Sequence, residues 1–400
     1  MSTQNKPSVL IVGAGLGGLT AGLALLKRGF PVRILEQATS LRELGAGIQL
    51  SPNVNRVLYA LGLGGALESV ASMAAGKKIR LWSTGQTWEL FDLGEQSLAR
   101  YGYPYLTVYR ADLHRLLVEA VRALQGDAIV LGARVEYVNQ DDQQATAVLA
   151  DGSTHSADIL IGADGIHSRV RSALCGEDQP QFSGTLAWRG VIAAQKLPDH
   201  LRQAYAVNWV GPGAHVIHYP LRGGALVNFV GIRERDDWQV ESWTEEGTTE
   251  ECLQDFAGWH EDVLTLIRAL ETPFKWALML RDPLANWTRA RVTLLGDACH
   301  ATLPMLASGA AMAIEDGYIL ARCLDEIRSP AKALLRYEEL RKDRTTRVVL
   351  GSAENARRFH NPELAHAQGA ADYVAREWTP ERIHERYDWL FSYNVDEIEV

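Results

Sequence analysis

The chain of 400 residues has only four cysteines, Cys175, Cys252, Cys299 and Cys323. They are scattered and form no CxxC pair. That excludes a disulfide-dense frame and reads as reduced thiols in a cytoplasmic protein. Basic side chains are outnumbered, 40 against 49 acidic ones, for a net charge of -9. This balance argues against a nucleic-acid partner, because phosphate binding rests on basic surface. No apolar run approaches the roughly 18 residues of a membrane span. The polar start MSTQNKP leads straight into a strand, so no signal peptide is expected. Repeats, low-complexity segments and a metal-ligand set are also missing. What remains is ordinary globular composition, 47% hydrophobic and 22% charged, with ample material for a core. Length predicts two to three domains at about 150 residues each. Glycine is in mild excess, with 35 residues, so the question is where the glycines sit.

Residues 8–12, SVLIV, form a short run of strand type. It leads into Gly13-Ala14-Gly15-Leu16-Gly17-Gly18 and then a helical spacing at Leu19, Leu23 and Leu26 that ends at Gly29. PVRILE (31–36) is a second strand ending on Glu36. This is a βαβ unit with GxGxxG at its first turn. Gly13 permits the tight turn, Gly15 lets backbone approach a pyrophosphate, and Gly18 lets helix and strand pack closely. The helix N-terminus offers free N–H groups and a positive dipole end. Glu36 is placed to accept from ribose hydroxyls, which favours FAD or NAD over NADP. The alternative is a glycine-rich structural turn.

The remaining pattern predicts a helix from Pro52 with Ser51 as N-cap, a hairpin over 78–94, and an amphipathic helix over 108–124. Strands follow, then ADILIGADGIHSRVRSAL as strand, glycine turn and helix start. From Gly184 to about Ile232 several short strands suggest an antiparallel sheet. A helix is expected over 250–270, a strand and turn in VTLLGDACH (292–300), and mostly helix after Ser308. The expected fold class is α/β. A Rossmann-type FAD-binding domain is built from 1–77, 96–180 and 285–335. A sheet-rich substrate domain takes 78–95 and 181–284, and a helical C-terminal region takes 336–400.

Asp164 in ADG and Asp297 in GD each follow a strand, where a carboxylate can bond ribitol or ribose hydroxyls; Asp-Gly is also common in plain turns. The ordered set is more specific: GxGxxG, Glu36, GAGIQLSPN (45–53), Arg110 in YRADLH, ADGIHSRVR, and GDACHATLPMLASGAAMAIED. Together with RYGYPYL, HYPLRGG and the terminal YDWLFSY, it resembles the single-component FAD-dependent aromatic hydroxylases over nearly the whole chain. This is the family of para-hydroxybenzoate hydroxylase; the likeness is greatest to 3-hydroxybenzoate 6-hydroxylases and salicylate hydroxylases. The resemblance implies that Gly13, Gly15 and Gly18 meet the FAD pyrophosphate and Glu36 the adenosine ribose. It places Gly45 and Gly47 beside the flavin, Arg110 near pyrophosphate and ribitol, and Asp164 in a motif serving FAD and NAD(P)H. It gives Asp297 to the ribitol, and Gly309 and Ala310 to the flavin edge. Leu303 and Pro304 fall beside the substrate. NADH or NADPH is the implied reductant, and a homodimer the implied assembly. Ala301 stands where the family usually has Pro, and Ser308 where many members have Gln. Pro304 stands where some 3-hydroxybenzoate 6-hydroxylases have Gln, which weakens that substrate.

Hydroxylating a ring needs an electron-rich ring and an electrophilic oxygen, which reduced flavin and O2 supply as a C4a-hydroperoxide shielded from water. A base should reach the phenol, and histidine suits the task. In AHVIHYPL, residues 215, 217 and 219 share one strand face. His215 is therefore the candidate base and Tyr219 a substrate hydrogen-bond partner, with ordinary sheet packing as the alternative. His218 and His300 read as structural, and Trp188-Arg189 as packing with a structural ion pair. The expected substrates are 3-hydroxybenzoate, hydroxylated at position 6, or salicylate, hydroxylated with decarboxylation; a hydroxypyridine or another phenolic acid is the alternative. A dehydrogenase without oxygen chemistry and a non-catalytic flavin-binding protein are the rivals.

Overall fold

The computed structural model describes residues 6–41, 46–237 and 245–400. Gly45 of the expected flavin loop lies outside the described residues. Strand β1 (Val9–Val12), helix α1 (Leu16–Lys27) and strand β2 (Val32–Glu36) form the expected opening unit. Strand β3 (Gly47–Leu50) follows, and helix α2 (Arg110–Leu124) buries Leu113, Leu117 and Val121. Strand β4 (Ile159–Gly162) pairs in parallel with β1, matching Val12 to Gly162. Its other edge takes Val292–Leu294, also parallel. The six-stranded sheet therefore runs from 288–289 through 292–294, β4, β1 and β2 to 129–131. Only its outermost strand, Thr288–Arg289, is antiparallel. Its central strands are apolar and buried on both faces, as parallel strands covered by helices must be.

A second sheet has seven strands. Strand β5 (Gln181–Ala193), strand β6 (Ala214–Leu221) and strand β7 (Leu226–Glu234) lie in the order β5, β7, β6. Phe274–Leu280 flanks β5, and Tyr205–Gly211, Gly76–Leu81 and Thr87–Asp92 continue beyond β6. One face packs Trp188, Trp209, Val216 and Phe229 against Phe256, Val263 and Ile267. Those last residues lie on or beside two helices, Thr249–Asp255 and Glu261–Arg268, where a single helix over 250–270 is expected. Gly258, at φ +81, separates them, a conformation open to glycine and unfavourable inside a helix.

Helix α3 (Gly309–Glu326) and helix α4 (Pro330–Phe359) complete the frame. The 30 residues of α4 run unbroken through position 335, where the sequence suggests a boundary. Ser51 occupies its expected N-cap position, but its hydroxyl donates to Asn53 Oδ1 (2.6 Å) and accepts from no helix N–H. The terminal segment packs: Tyr387 and Phe391 contact Phe91, and Phe391 also meets Tyr101 and Tyr105.

A buried ionic cluster joins these parts. Arg341 of α4 donates to Asp316 and Glu315 of α3, each at 2.7 Å, and Arg344 donates through two nitrogens to Glu315, both at 2.8 Å. Asn53 donates to Glu315 at 2.6 Å, and His300 meets Asp316 at 2.6 Å. Burial alone would raise the Asp316 pKa, but His300 and Arg341 override it and hold the carboxyl down at about 2. Replacing Arg341 by Met leaves two buried carboxylates short of a cation. We expect a loss of about 3–5 kcal/mol in chemical unfolding; a change below about 1 kcal/mol would show the cluster to be dispensable. Because the folded Asp316 pKa lies below the unfolded value of about 3.9, this carboxylate's stabilisation is complete above pH ~4. It is lost as pH falls toward 2.

Candidate active site

A cleft of about 620 Å³ opens at the carboxyl end of β1, β2 and β4. Ligands of open α/β sheets bind at such strand ends. Gly13, Gly15, Glu36, Asp164 and Arg281 line it. Gly13 has φ +104, and a Cβ there would meet the Ala163 carbonyl oxygen at 2.4 Å. A Cβ on Gly18 would lie 2.0 Å from the Gly13 carbonyl, so turn and helix close on each other only with glycine at both. Gly15 differs: nothing lies within 4 Å of its missing side chain, and no side chain caps α1. That helix end presents bare N–H groups to the cleft, the arrangement a diphosphate needs. His114 of α2 pins the loop from behind, its Nε2 lying 2.8 Å from the Ala14 carbonyl.

Glu36 accepts from the Ala14 N–H (2.9 Å) and the Ala38 N–H (2.8 Å), which fixes its carboxylate in the cleft wall. Asp164 accepts from Ser168 Oγ (2.5 Å) and the Arg169 N–H (2.8 Å). It therefore organises the start of the helix Arg169–Cys175 as well as lining the cleft. Asp297 is solvent-accessible yet crowded by protein. That enclosure raises its pKa, while His300 and Arg110 oppose the rise. Arg110 also lies near enough to Arg189 to perturb it: burial first, then the Arg110 charge, lower the Arg189 pKa to about 10.

The other face of the second sheet carries a further apolar group. Leu303 and Met305 pack there with Ala187, Ile232 and Leu278. Strand pairing aligns Ile232 with His215, Val230 with Ile217 and Asn228 with Tyr219, so His215 and Tyr219 share the Leu303 side. His218 points the other way, and burial drives its pKa down to about 3. Tyr219 lies against β3: a Cβ on Gly47 would meet its ring at 2.7 Å, and the Gly47 N–H donates to Asn228 Oδ1 at 2.7 Å. Gly47 is thus where β3, a strand of a separate three-stranded sheet, touches the seven-stranded sheet. Burial, then the His360 ring and Lys77, hold His215 well below the ordinary histidine value, so it is neutral at physiological pH. Two buried amide atoms, Asn208 Oδ1 and Asn228 Nδ2, have no partner among the described residues. Both asparagines sit on the His215 face.

Pro304 begins a single 3-10 turn, Pro304–Leu306, and is exposed there. Ala307 follows at φ +52 and Ser308 precedes α3, whose first residues are Gly309 and Ala310. No side chain caps that helix start. His300 is structural as expected, holding the Gly296 turn through Asp316, which also accepts the Gly296 N–H at 3.0 Å. Trp188 and Arg189 lie on opposite faces of β5. Trp188 Nε1 donates to Asp255 at 2.7 Å, while Arg189 stacks over Trp276 on the His215 side. Alternation along β5 could have placed Arg189 there in advance. His114, Asn228 and Asn208 carry no local sequence signal.

The geometry sets a dinucleotide cleft in one sheet and, on one face of a second, mixed sheet, a neutral histidine and a buried tyrosine. It defines an α/β nucleotide-binding fold with a second, largely antiparallel sheet. Residues 6–352 match the model of the FAD binding domain family. The chain belongs to that family and, within it, to the single-component FAD-dependent aromatic hydroxylases. It is 39% identical to 3-amino-4-hydroxybenzoate 2-monooxygenase of Streptomyces platensis over 98% of each chain. It is 40% identical to 6-hydroxynicotinate 3-monooxygenase of Pseudomonas fluorescens, over 88% of this chain and 92% of that one. With 3-hydroxybenzoate 6-hydroxylase of Polaromonas naphthalenivorans (strain CJ2) the identity is 37%, over 97% and 96%. Among solved structures, Klebsiella pneumoniae HpxO complexed with FAD and uric acid superposes with a TM-score of 0.84 at 29% identity, over 96% and 97% of the two chains. A salicylate hydroxylase substrate complex gives 0.81 at 26%, over 98% and 97%.

The residues fit FAD on structural grounds, with an open Gly15 at an uncapped helix end and an enclosed but accessible Asp297. Glu36→Ala tests the adenosine end. Losing hydrogen bonds to a charged acceptor costs about 1.5–3 kcal/mol, so apoprotein titrated with FAD should bind roughly 10- to 100-fold more weakly. An unchanged dissociation constant would place the acid away from the ribose.

Proposed function

We propose that this chain is a monooxygenase that hydroxylates a ring-hydroxylated aromatic or N-heteroaromatic carboxylic acid with NADH (or NADPH) and O2. The observation that carries the reading is a neutral His215 and a buried Tyr219 on one face of the chamber, beside Leu303. The substrates named for the three similar monooxygenases agree with it, since 3-amino-4-hydroxybenzoate, 6-hydroxynicotinate and 3-hydroxybenzoate each carry a ring hydroxyl and a carboxylate. When bound, FAD supplies reduction by the nicotinamide and activation of O2.

The chain's own residues do the rest. Gly13, Gly15 and Gly18 receive the pyrophosphate, and Glu36 the ribose. Arg110, Asp164 and Asp297 orient the dinucleotide, with Gly47, Gly309 and Ala310 along the flavin. His215 takes the phenol proton at Nε2, which enriches the ring for attack. Tyr219, whose hydroxyl burial keeps protonated, donates to the substrate. Leu303 and Pro304 close the ring-binding wall and exclude water. Arg189 and Arg110 give this end of the chamber a cationic character that suits a carboxylate. The reading includes a cytoplasmic homodimer, as the family resemblance implies, and a division into FAD-binding, substrate and C-terminal helical parts.

Product analysis decides the substrate. 3-Hydroxybenzoate, salicylate, 6-hydroxynicotinate and 3-amino-4-hydroxybenzoate are incubated with the yellow holoprotein, NADH and air. We expect one of them to accelerate NADH oxidation and yield a hydroxylated product. A panel with no stimulation and no product would sink the reading. His215→Ala should retain FAD and lose about 10²–10⁴-fold in hydroxylation rate, the span of a general base. Hydroxylation at the normal rate would remove His215 as the base.

A further inference from the structure

His215 is buried at 3% exposure, so a proton it accepts needs a way out. Its Nδ1 lies 2.7 Å from Nε2 of His360, the residue that ends α4. The other nitrogen of that ring, Nδ1, lies 2.9 Å from Glu234 Oε1 at the end of β7. The His360 side chain is 2% exposed and the Glu234 side chain 59%. The three groups thus form one hydrogen-bonded row from the chamber wall to solvent. Backbone bonds hold the two outer groups: the Gly213 N–H donates to the His360 carbonyl (3.2 Å), and the Glu234 N–H to the Gly213 carbonyl (2.8 Å). The β-turn before β6 therefore fixes the histidine that follows α4 and the acid that ends β7. Phe359 packs on the His215 ring at 5.2 Å and seals its side. Among the described residues no hydrogen bond engages His215 Nε2, which leaves that atom for a ligand.

We infer that His360 and Glu234 are positioning residues that carry the substrate's phenolic proton from His215 to solvent. The inference rests on His215 being the base proposed above. The proton count closes. In the resting row, His215 Nδ1–H donates to His360 Nε2, and His360 Nδ1–H donates to the Glu234 carboxylate. The phenol O–H breaks and His215 Nε2–H forms. The Nδ1 proton of His215 passes to His360 Nε2, the Nδ1 proton of His360 passes to Glu234, and Glu234 releases it to water. Neither imidazole carries a lasting charge, which suits a site where burial disfavours cationic rings. The reverse sequence reprotonates the product's oxygen and resets both tautomers. The charged and titratable groups facing the row are Lys77 from the neighbouring strand Gly76–Leu81, which disfavours a cation on His215, and Glu234, which favours one on His360.

The test separates proton exit from catalysis. Holoprotein is mixed without oxygen or nicotinamide with the panel acid that stimulates NADH oxidation, in weak buffer with a pH-indicator dye. Wild-type protein should release a proton rapidly on binding. Glu234→Gln and His360→Gln should slow that release by about tenfold or more, a fraction of an acid–base group's full worth, with flavin content and ligand affinity held. Added imidazole should restore release in His360→Gly, a rescue that a packing role would not show. Release within twofold of wild type in both Gln variants, or none from wild type, would overturn the relay. Normal hydroxylation with unaffected release removes the relay alone. A panel with no turnover, or His215→Ala with normal turnover, removes the functional reading and the relay with it.

Discussion

The Arg341–Asp316–Glu315 cluster is the constraint on which the site depends. Buried ion pairs gain little net free energy over a well-packed apolar core, but leaving one partner alone is costly. Their value here lies in specificity. Glu315 can be satisfied only if α3, α4 and Asn53 meet in one arrangement. Asp316 can be satisfied only if the Gly296 turn and His300 come to it. That turn carries Asp297, so the placement of the expected ribitol ligand is set by charges two elements away. Burial disfavours a charged His300, but Cys299 and the Asp316 carboxylate outweigh it and raise its pKa well above the ordinary value. Cys299, His300 and Asp316 bring three ligand-type atoms within 4.8 Å. Arg341 already occupies the other Asp316 oxygen, so the group acts as an ion-pair junction with its cation built in.

Strand β3, in a separate three-stranded sheet, meets the seven-stranded sheet through contacts that tolerate no bulk. Gly47 has an ordinary extended φ; what demands glycine is the Tyr219 ring and Asn228 lying against it. The same contact carries a hydrogen bond from the Gly47 N–H to Asn228. Strand β3, the expected neighbour of the flavin, is thereby locked to the sheet that carries Tyr219. A fixed contact of this kind would hold a cofactor and a substrate at a set spacing, and such proximity accounts for much of an enzyme's rate.

Local patterns were readable where one short segment encodes both element and role. GxGxxG with Glu36 lies between two strands in register, and alternation alone put His215 and Tyr219 on one face and His218 on the other. The same alternation separates Trp188 from Arg189, yet their adjacency suggested a single packing unit. The helix expected over 250–270 failed at Gly258, because an isolated glycine can end a helix or be tolerated within one, and only tertiary packing decides. His360 carried no signal. It lies 145 positions from His215, and its role arises from where α4 ends. Asn228, His114 and Asn53 were unreadable for the same reason: each acts by closing a contact between distant segments.

A base for a phenol inside a flavin chamber faces opposed demands. It must be dry, so that activated oxygen is not lost to water, and it must exchange protons with water. Burial meets the first demand and, by keeping His215 neutral, suits it to the base role proposed for it. It works against the second, since an isolated buried imidazolium is unstable and would return the proton to the substrate. A second imidazole in direct contact, backed by a carboxylate at the surface, reconciles the two. No water needs to enter, and each hop exchanges one neutral tautomer for another. The long helix α4 is what makes this possible: it brings a residue remote in sequence to the end of the sheet where His215 and Glu234 lie diagonally across paired strands.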